Sequence, residues 1–153
     1  MSSIDSSTKP TGVIGSGAFG KCMANLLAEN NKVLLHVRRD MATIAERGEL
    51  IWPVIPSKVF RTVMRDLRPH LRPSHILIHG TKGLDVVLSE EEAANPGELL
   101  LSRDRVRTMS EVISEESIVL RVGAISGPNL SKEIARGLPA GTVIASRFDE
   151  VVN

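Results

Sequence analysis

The sequence predicts an α/β fold, a doubly wound and mostly parallel sheet with helices on both faces. Three observations predict it. Short apolar runs alternate with helix-like segments from residue 12 to residue 145. The runs at 33–37 and 75–79 are nearly continuous rather than alternating, as expected of strands covered on both faces. Between the first run and the first helical segment stands the glycine pattern Gly15-Ser16-Gly17-Ala18-Phe19-Gly20. At 153 residues, 42% of them hydrophobic and 24% charged, the chain is long enough for one such domain with its own core.

The elements follow in order. Residues 1–11 are small and polar with a single isoleucine and read as a flexible tail, so the domain proper spans 12–153. Gly12-Val13-Ile14 is the first strand. In the glycine pattern that follows, the first glycine permits a tight turn and the second lets backbone approach a pyrophosphate. The third allows close packing of helix on strand. The N–H groups and dipole of the helix start favour phosphate oxygens. Framed by strand and helix, this is the dinucleotide-binding fingerprint of a Rossmann-like fold, and it names NAD or NADP as the ligand class.

Residues 21–30 carry Met23, Ala24, Leu26, Leu27 and Ala28 on a helix ended by Asn30-Asn31. The second strand is 33–37, and 41–47 is a short helix ending at Gly48. In the strand at 50–55, Pro53 signals an edge, a bulge or an early end. Ser57 is read as the cap of the next helix, whose face is Val59, Phe60, Val63, Met64 and Leu67 and which Pro69 stops. The strand at 75–79 runs into Gly80-Thr81-Lys82-Gly83. Residues 85–101 are less regular, with the acidic run Glu90-Glu91-Glu92 on a solvated surface and a turn at Asn95-Pro96-Gly97. Ser102 is read as the cap of a helix with the face Val106, Met109, Val112 and Ile113. A strand at 118–125, a turn at Gly127-Pro128-Asn129, a short helix at 130–136 and a strand at 142–145 complete the chain. It holds no internal repeat and no low-complexity segment.

Composition excludes several classes. Nineteen basic against eighteen acidic residues leave a net charge of +1, which argues against nonspecific nucleic-acid or membrane binding. The first residues lack the basic and apolar blocks of a signal peptide, and no apolar run is long enough to cross a bilayer. A cytoplasmic location is the expectation. Cys22 is the only cysteine, which rules out an intrachain disulfide and agrees with a reducing compartment. It reads as a small packed side chain, although the first turns of a helix would favour its thiolate. His36, His70, His75 and His79 show no metal-ligand spacing, and no metal is assigned.

Ligands of such a sheet bind beyond the carboxyl ends of the strands, where four segments gather: 15–20, 38–39, 81–83 and 126–129. Arg38 and Arg39 stand where NAD-specific folds place an acid on the ribose 2′-hydroxyl. They can pair with a 2′-phosphate or stack on adenine, which favours NADP, or they are a solvated pair at a strand end; Asp40 keeps NAD open. Lys82, between Gly80 and Gly83, can neutralise phosphate or polarise a carbonyl, and from spacing it is equally an ordinary turn lysine. Asn129 and Ser131 could hydrogen-bond a ligand, with helix capping the simpler reading.

Together, residues 15–20, 33–39, Val54-Ile55-Pro56-Ser57, Thr81-Lys82-Gly83-Leu84 and the block 125–139, in this order, resemble the NAD(P)-dependent glycerol-3-phosphate dehydrogenases. The Ser-Gly-Pro block followed by Lys132-Glu133 and Gly137-Leu138-Pro139 is the most specific part, and the likeness covers about residues 11–148. The resemblance implies the N-terminal coenzyme-binding domain of an enzyme interconverting sn-glycerol 3-phosphate and dihydroxyacetone phosphate, the former a precursor of glycerophospholipids. By the family pattern Gly15, Gly17, Ala18, Phe19 and Gly20 hold the cofactor, and Arg38 and Arg39 meet its adenosine end. Lys82 would contact cofactor and substrate, Gly127 and Asn129 the substrate, and Ser131 the cofactor. The family often has serine or threonine in place of Asn129 and alanine in place of Ser131, which weakens those two roles.

Two departures from the pattern stand out. The several tens of family residues between the second helix and the Pro-Ser strand, which include a strand on the adenine side, shrink here to about Gly48-Glu49-Leu50: either the variant is trimmed or a segment is missing from this sequence. The family's helical second domain, with its general acid–base lysine, is not in this chain, so no catalytic residue is assigned and the isolated chain is expected to be inactive. Bare faces left by that domain predict self-association. Two other readings stay open: a non-catalytic NAD(P)-binding module or subunit, and a different reductase on the same scaffold.

Overall fold

The computed structural model describes residues 9–36, 41–95, 97 and 99–152. Strands and helices alternate as β1 (Thr11–Ile14), α1 (Ala18–Ala28), β2 (Val33–His36), α2 (Met41–Arg47), β3 (Leu50–Pro53), α3 (Ser57–Leu67) and β4 (Ile76–His79). The remainder is β5 (Leu84–Val86), α4 (Glu90–Ala94), β6 (Val106–Thr108), α5 (Met109–Glu116), β7 (Arg121–Ser126), α6 (Ser131–Ile134), β8 (Val143–Ser146) and α7 (Asp149–Val152). The main sheet has the order β2-β1-β3-β4-β7-β8. Its pairings are parallel except β7–β8, which is antiparallel. The α/β, doubly wound reading therefore holds.

Both faces of the sheet are covered, which is why β1 is buried along its whole length. On one face, Phe60, Met64 and Leu67 of α3 and Met109, Val112 and Ile113 of α5 pack with Ile44 of α2 on Ile14, Ile51 and Leu77. On the other, Met23 and Ala24 of α1 and Val151 of α7 pack on Val13, Trp52 and Ile78. Cys22 is a buried side chain of α1, as the packed reading expected. Only Gly48 and Glu49 separate α2 from β3. The chain thus turns from β2 straight to the other side of β1, and β2 is left at the sheet edge among the described residues. Pro53 sits in a central strand and acts through an early end, because β3 stops there. Its carbonyl still accepts from the Gly80 N–H at 3.3 Å.

Several expectations are corrected. The helix assigned to Ser102 starts seven residues after the expected cap, at Met109. Its true cap is Thr108, whose Oγ1 accepts from the Glu111 N–H while the Glu111 carboxylate accepts from the Thr108 N–H at 2.7 Å. Val106, read as part of that helix, pairs instead with Val86 across a separate antiparallel two-stranded sheet, β5–β6. Ser57 does not cap α3: Pro56 occupies the cap position and Ser57 is the first helical residue. Val59, placed on the core stripe, is 42% exposed. β1 begins at Thr11, the last residue assigned to the tail.

Candidate functional site

The carboxyl ends of β1, β3, β4 and β7 converge on one cleft of about 940 Å³. It lies where the strand order reverses, since β2 leaves β1 on one side and β3 on the other. Its floor is the glycine loop, and each glycine there answers a different demand. Gly15 has φ +134°, and a Cβ on it would stand 2.4 Å from the Val54 carbonyl oxygen. A Cβ on Gly20 would stand 1.9 Å from the carbonyl oxygen of Gly15, so helix and turn touch backbone to backbone. Gly17 has no atom within 4 Å of that position and faces open space. It is also the cap residue of α1 and makes no side-chain cap bond, so the first-turn N–H groups of Ala18 and Phe19 are left to the cleft.

This cradle fits a dinucleotide pyrophosphate. The first-turn residues border the open space beside Gly17, and the helix end supplies partial positive charge.

The next wall comes from two loops that hold each other. Thr81 Oγ1 donates to the Ile55 carbonyl at 2.7 Å. Gly83 has φ +115°, and a Cβ there would come within 2.8 Å of Ser57 Oγ. The Val-Ile-Pro-Ser and Thr-Lys-Gly segments are therefore one unit, with Lys82 exposed on its cleft side. Opposite them Gly127 and Asn129 follow β7 and line the same cleft. Thr142 Oγ1 donates to Asn129 Oδ1 at 2.7 Å, which leaves the amide nitrogen as a donor for a ligand.

Of the residues singled out from sequence, Gly15, Gly17, Ala18, Phe19, Gly20, Lys82, Gly127 and Asn129 all line the cleft. Ser131 is half-buried at the start of α6 and is not among the lining residues. Arg38 and Arg39 lie outside the described residues. Sequence reasoning missed His36 and Met41, and the outer face of α3 with Val59, Thr62 and Asp66. The signal was in the helical spacing of α3: its apolar stripe is wider than one core contact, and the surplus became a cleft wall.

Behind the Lys82 loop sits His79, buried at the end of β4. Its Nε2 meets Ser110 Oγ at 2.8 Å and its ring lies edge-on to Phe60 with centroids 6.0 Å apart. Burial lowers its pKa to about 4, against a weaker upward pull from the Thr81 backbone, so the ring is neutral at pH 7. Among the described residues no cluster of histidine, cysteine and carboxylate could hold a metal ion. No helix there is long and apolar enough to cross a membrane.

The family model for the NAD-dependent glycerol-3-phosphate dehydrogenase N-terminus matches residues 33–152. The chain belongs to this family. The glycerol-3-phosphate dehydrogenase [NAD(P)+] of Pseudomonas aeruginosa is 34% identical over 156 residues, covering 94% of this chain and 46% of the relative. That of Saccharophagus degradans is 30% identical over 172 residues, with 92% and 43% covered. The chain thus spans a little under half the length of these relatives. The aligned length of 172 exceeds the 153 residues present, so that relative carries residues this chain lacks. Among solved structures, glycerol-3-phosphate dehydrogenase from Coxiella burnetii superposes with a TM-score of 0.73 at 22% identity, over 94% of this chain and 48% of that one. The Saccharomyces cerevisiae enzyme gives 0.71 at 19% identity, over 92% and 48%. These likenesses establish the Rossmann-like fold, and the family's cofactor class is NAD(P).

Proposed function

We propose that this chain binds NAD or NADP as the coenzyme half of a glycerol-3-phosphate dehydrogenase, which interconverts sn-glycerol 3-phosphate and dihydroxyacetone phosphate. The observation that carries the reading is the open space at Gly17 above an uncapped helix start, in the same cleft as Lys82. When bound, the nicotinamide supplies the hydride donor or acceptor for C2 of the three-carbon phosphate. The chain's own residues do the rest of this half of the work. Gly15, Gly17 and Gly20 shape the floor, and the N–H groups of Ala18 and Phe19 hold phosphate oxygens.

The Lys82 ammonium neutralises the phosphorylated ligand and stabilises negative charge on the substrate oxygen. Gly127 lets backbone approach the substrate, and the Asn129 amide nitrogen donates to a substrate oxygen. Arg38 and Arg39 take the adenosine end and favour NADP, and Ser131 takes the cofactor side on the family pattern. Orientation and charge stabilisation are the catalytic means on offer here. A cytoplasmic location fits the single cysteine, which is buried. Self-association fits the exposed Leu130, Leu138 and Val143 near the carboxyl end, and light scattering showing a monomer at high concentration would refute it.

The test is a fluorescence titration of the chain with NADPH and NADH, repeated with Gly17→Glu, whose carboxylate would fill the cradle. Micromolar binding lost in the variant is the expected result, with NADPH the tighter ligand. Binding that survives Gly17→Glu would place the coenzyme elsewhere, and no binding to either nucleotide would end the reading.

A further inference from the structure

Among the described residues outside the cleft, charges gather in a hub around Arg61 on α3. Each nitrogen of its guanidinium meets a different carboxylate: Nε to Asp85 at 2.8 Å, Nη1 to Glu116 at 2.5 Å and Nη2 to Glu115 at 2.7 Å. The Arg61 and Asp85 side chains are each only 21% exposed. Glu116 is buried and takes a second bond from Arg65 at 3.1 Å. Glu115 takes one from Arg107 of β6. Burial pulls the Arg61 pKa down, but the bonds from Glu115, Glu116 and Asp85 outweigh it and leave it raised.

Two of these carboxylates staple α3 to α5. The third does something different. Asp85 lies on β5, directly after Lys82-Gly83-Leu84. The loop bearing Lys82 is therefore pinned on both sides to α3 and its lead-in: before it by Thr81 to the Ile55 carbonyl, after it by Asp85 to Arg61. At the turn itself Gly83 closes against Ser57 Oγ. A flexible lysine stem in an exposed turn has little else to set where its ammonium sits.

We propose that Arg61 and Asp85 are a positioning pair that fixes the Lys82 loop at the cleft, and so tune coenzyme binding without touching the ligand. Planar, bidentate-capable guanidinium is suited to this, because one group can satisfy β5 and α5 together, which a lysine point charge cannot. The inference rests on the reading that Lys82 meets the coenzyme.

Asp85→Asn, nearly isosteric, keeps an acceptor oxygen but removes the charge from the link to β5, while leaving both α5 staples in place. The expected result is NADPH affinity weakened about fivefold to tenfold, roughly 1–1.4 kcal/mol, with little change in melting temperature. Asp85→Glu restores most of the affinity. The deciding readout is coupling: in a Lys82→Ala background Asp85→Asn costs nothing further, because the group it positions is gone. Glu116→Gln supplies the contrast, lowering the melting temperature with affinity unchanged. Asp85→Asn within twofold of wild type overturns the proposal, and so does a cost that persists undiminished without Lys82. If Asp85→Asn does not fold, Arg61→Lys with the same Lys82→Ala cycle decides it. Failure of the wild-type chain to bind NADPH would instead strike the functional reading beneath.

Discussion

The cleft rim and the segment from β5 to α5 treat their polar groups in opposite ways. Around the cleft, α1 and α3 begin at Gly17 and Pro56 with no side-chain cap, and the neighbouring loops are glycine-rich. Away from it, α4 and α5 each begin with a complete capping box, from Ser89 and Glu92 and from Thr108 and Glu111. There, too, arginines meet carboxylates within the segment: Arg105 with Glu92, Arg103 with Glu111, Arg107 with Glu115. One region satisfies itself, and the other keeps donors open. An uncapped helix start costs stability unless something binds there, so the difference separates scaffold from binding surface. It is a more discriminating mark than cleft volume.

The largest expected effect breaks the cleft side of this comparison in two distinguishable ways. Gly20→Ala forces a methyl to within 1.9 Å of the Gly15 oxygen, both atoms being in backbone-fixed positions. We expect a loss of about 3 kcal/mol or more and a melting temperature lower by roughly 10 °C. Gly17→Ala, three residues away, meets nothing within 4 Å. Its stability should stay within about 0.5 kcal/mol of wild type, while NADPH affinity falls on the order of tenfold. Thermal melts and titrations of the two variants check this. Equal destabilisation would mean that position 17 is not held open for a ligand.

Acid provides the next effect. His79 has a pKa of about 4 in the folded chain against 6.5 when unfolded. Between those values the unfolded chain binds the proton and the folded chain does not, so stability falls as pH falls through this window. Going from pH 7 to pH 5 should cost about 2 kcal/mol. Glu115 and Glu116, held low by bonds from Arg107 and Arg61 and from Arg65 and Arg61, respond below this range. Urea unfolding of wild type and His79→Gln at both pH values tests the assignment. An equal pH slope in the variant would show that another group carries it.

The same contrast explains how much was legible in the sequence. The floor of the cleft was readable because its demands fall on residue type: only glycine tolerates the φ of Gly15 or the contact at Gly20, and the pattern is local. The sheet was readable because burial on both faces leaves continuous apolar runs at β1 and β4, and β2 carries such a run although it stands half-exposed at the sheet edge. The β5–α5 segment was not, because its order comes from pairs far apart in sequence. Arg61 bonds Asp85 24 residues on and Glu116 55 residues on, and no spacing rule announces either. Strands of three residues such as β5 and β6 carry too few positions for a period to show. Thr108-x-x-Glu111 is itself a local capping signal, and it lies six residues past Ser102. α3 was misjudged at one edge, since apolar spacing cannot tell a core neighbour from a cleft wall.

The smallest effect sharpens the comparison at the helix starts themselves. Thr108→Ala removes an Oγ1 that accepts from the Glu111 N–H at 3.2 Å and donates to the returning Glu111 carboxylate at 3.0 Å. That should cost about 1 kcal/mol, a fall of roughly 2–4 °C in melting temperature. Ser57→Ala removes a hydroxyl from the first turn of α3 that makes no cap bond. Its cost should stay below about 0.5 kcal/mol, even though serine is a common capping residue and Thr108 and Ser57 look alike on paper. Both melts are run without nucleotide, so that ligand cannot mask the difference. A Ser57→Ala loss equal to that of Thr108→Ala would mean that α3 is closed by its own side chains, and the distinction between open and self-satisfied helix starts would not hold at this wall of the cleft.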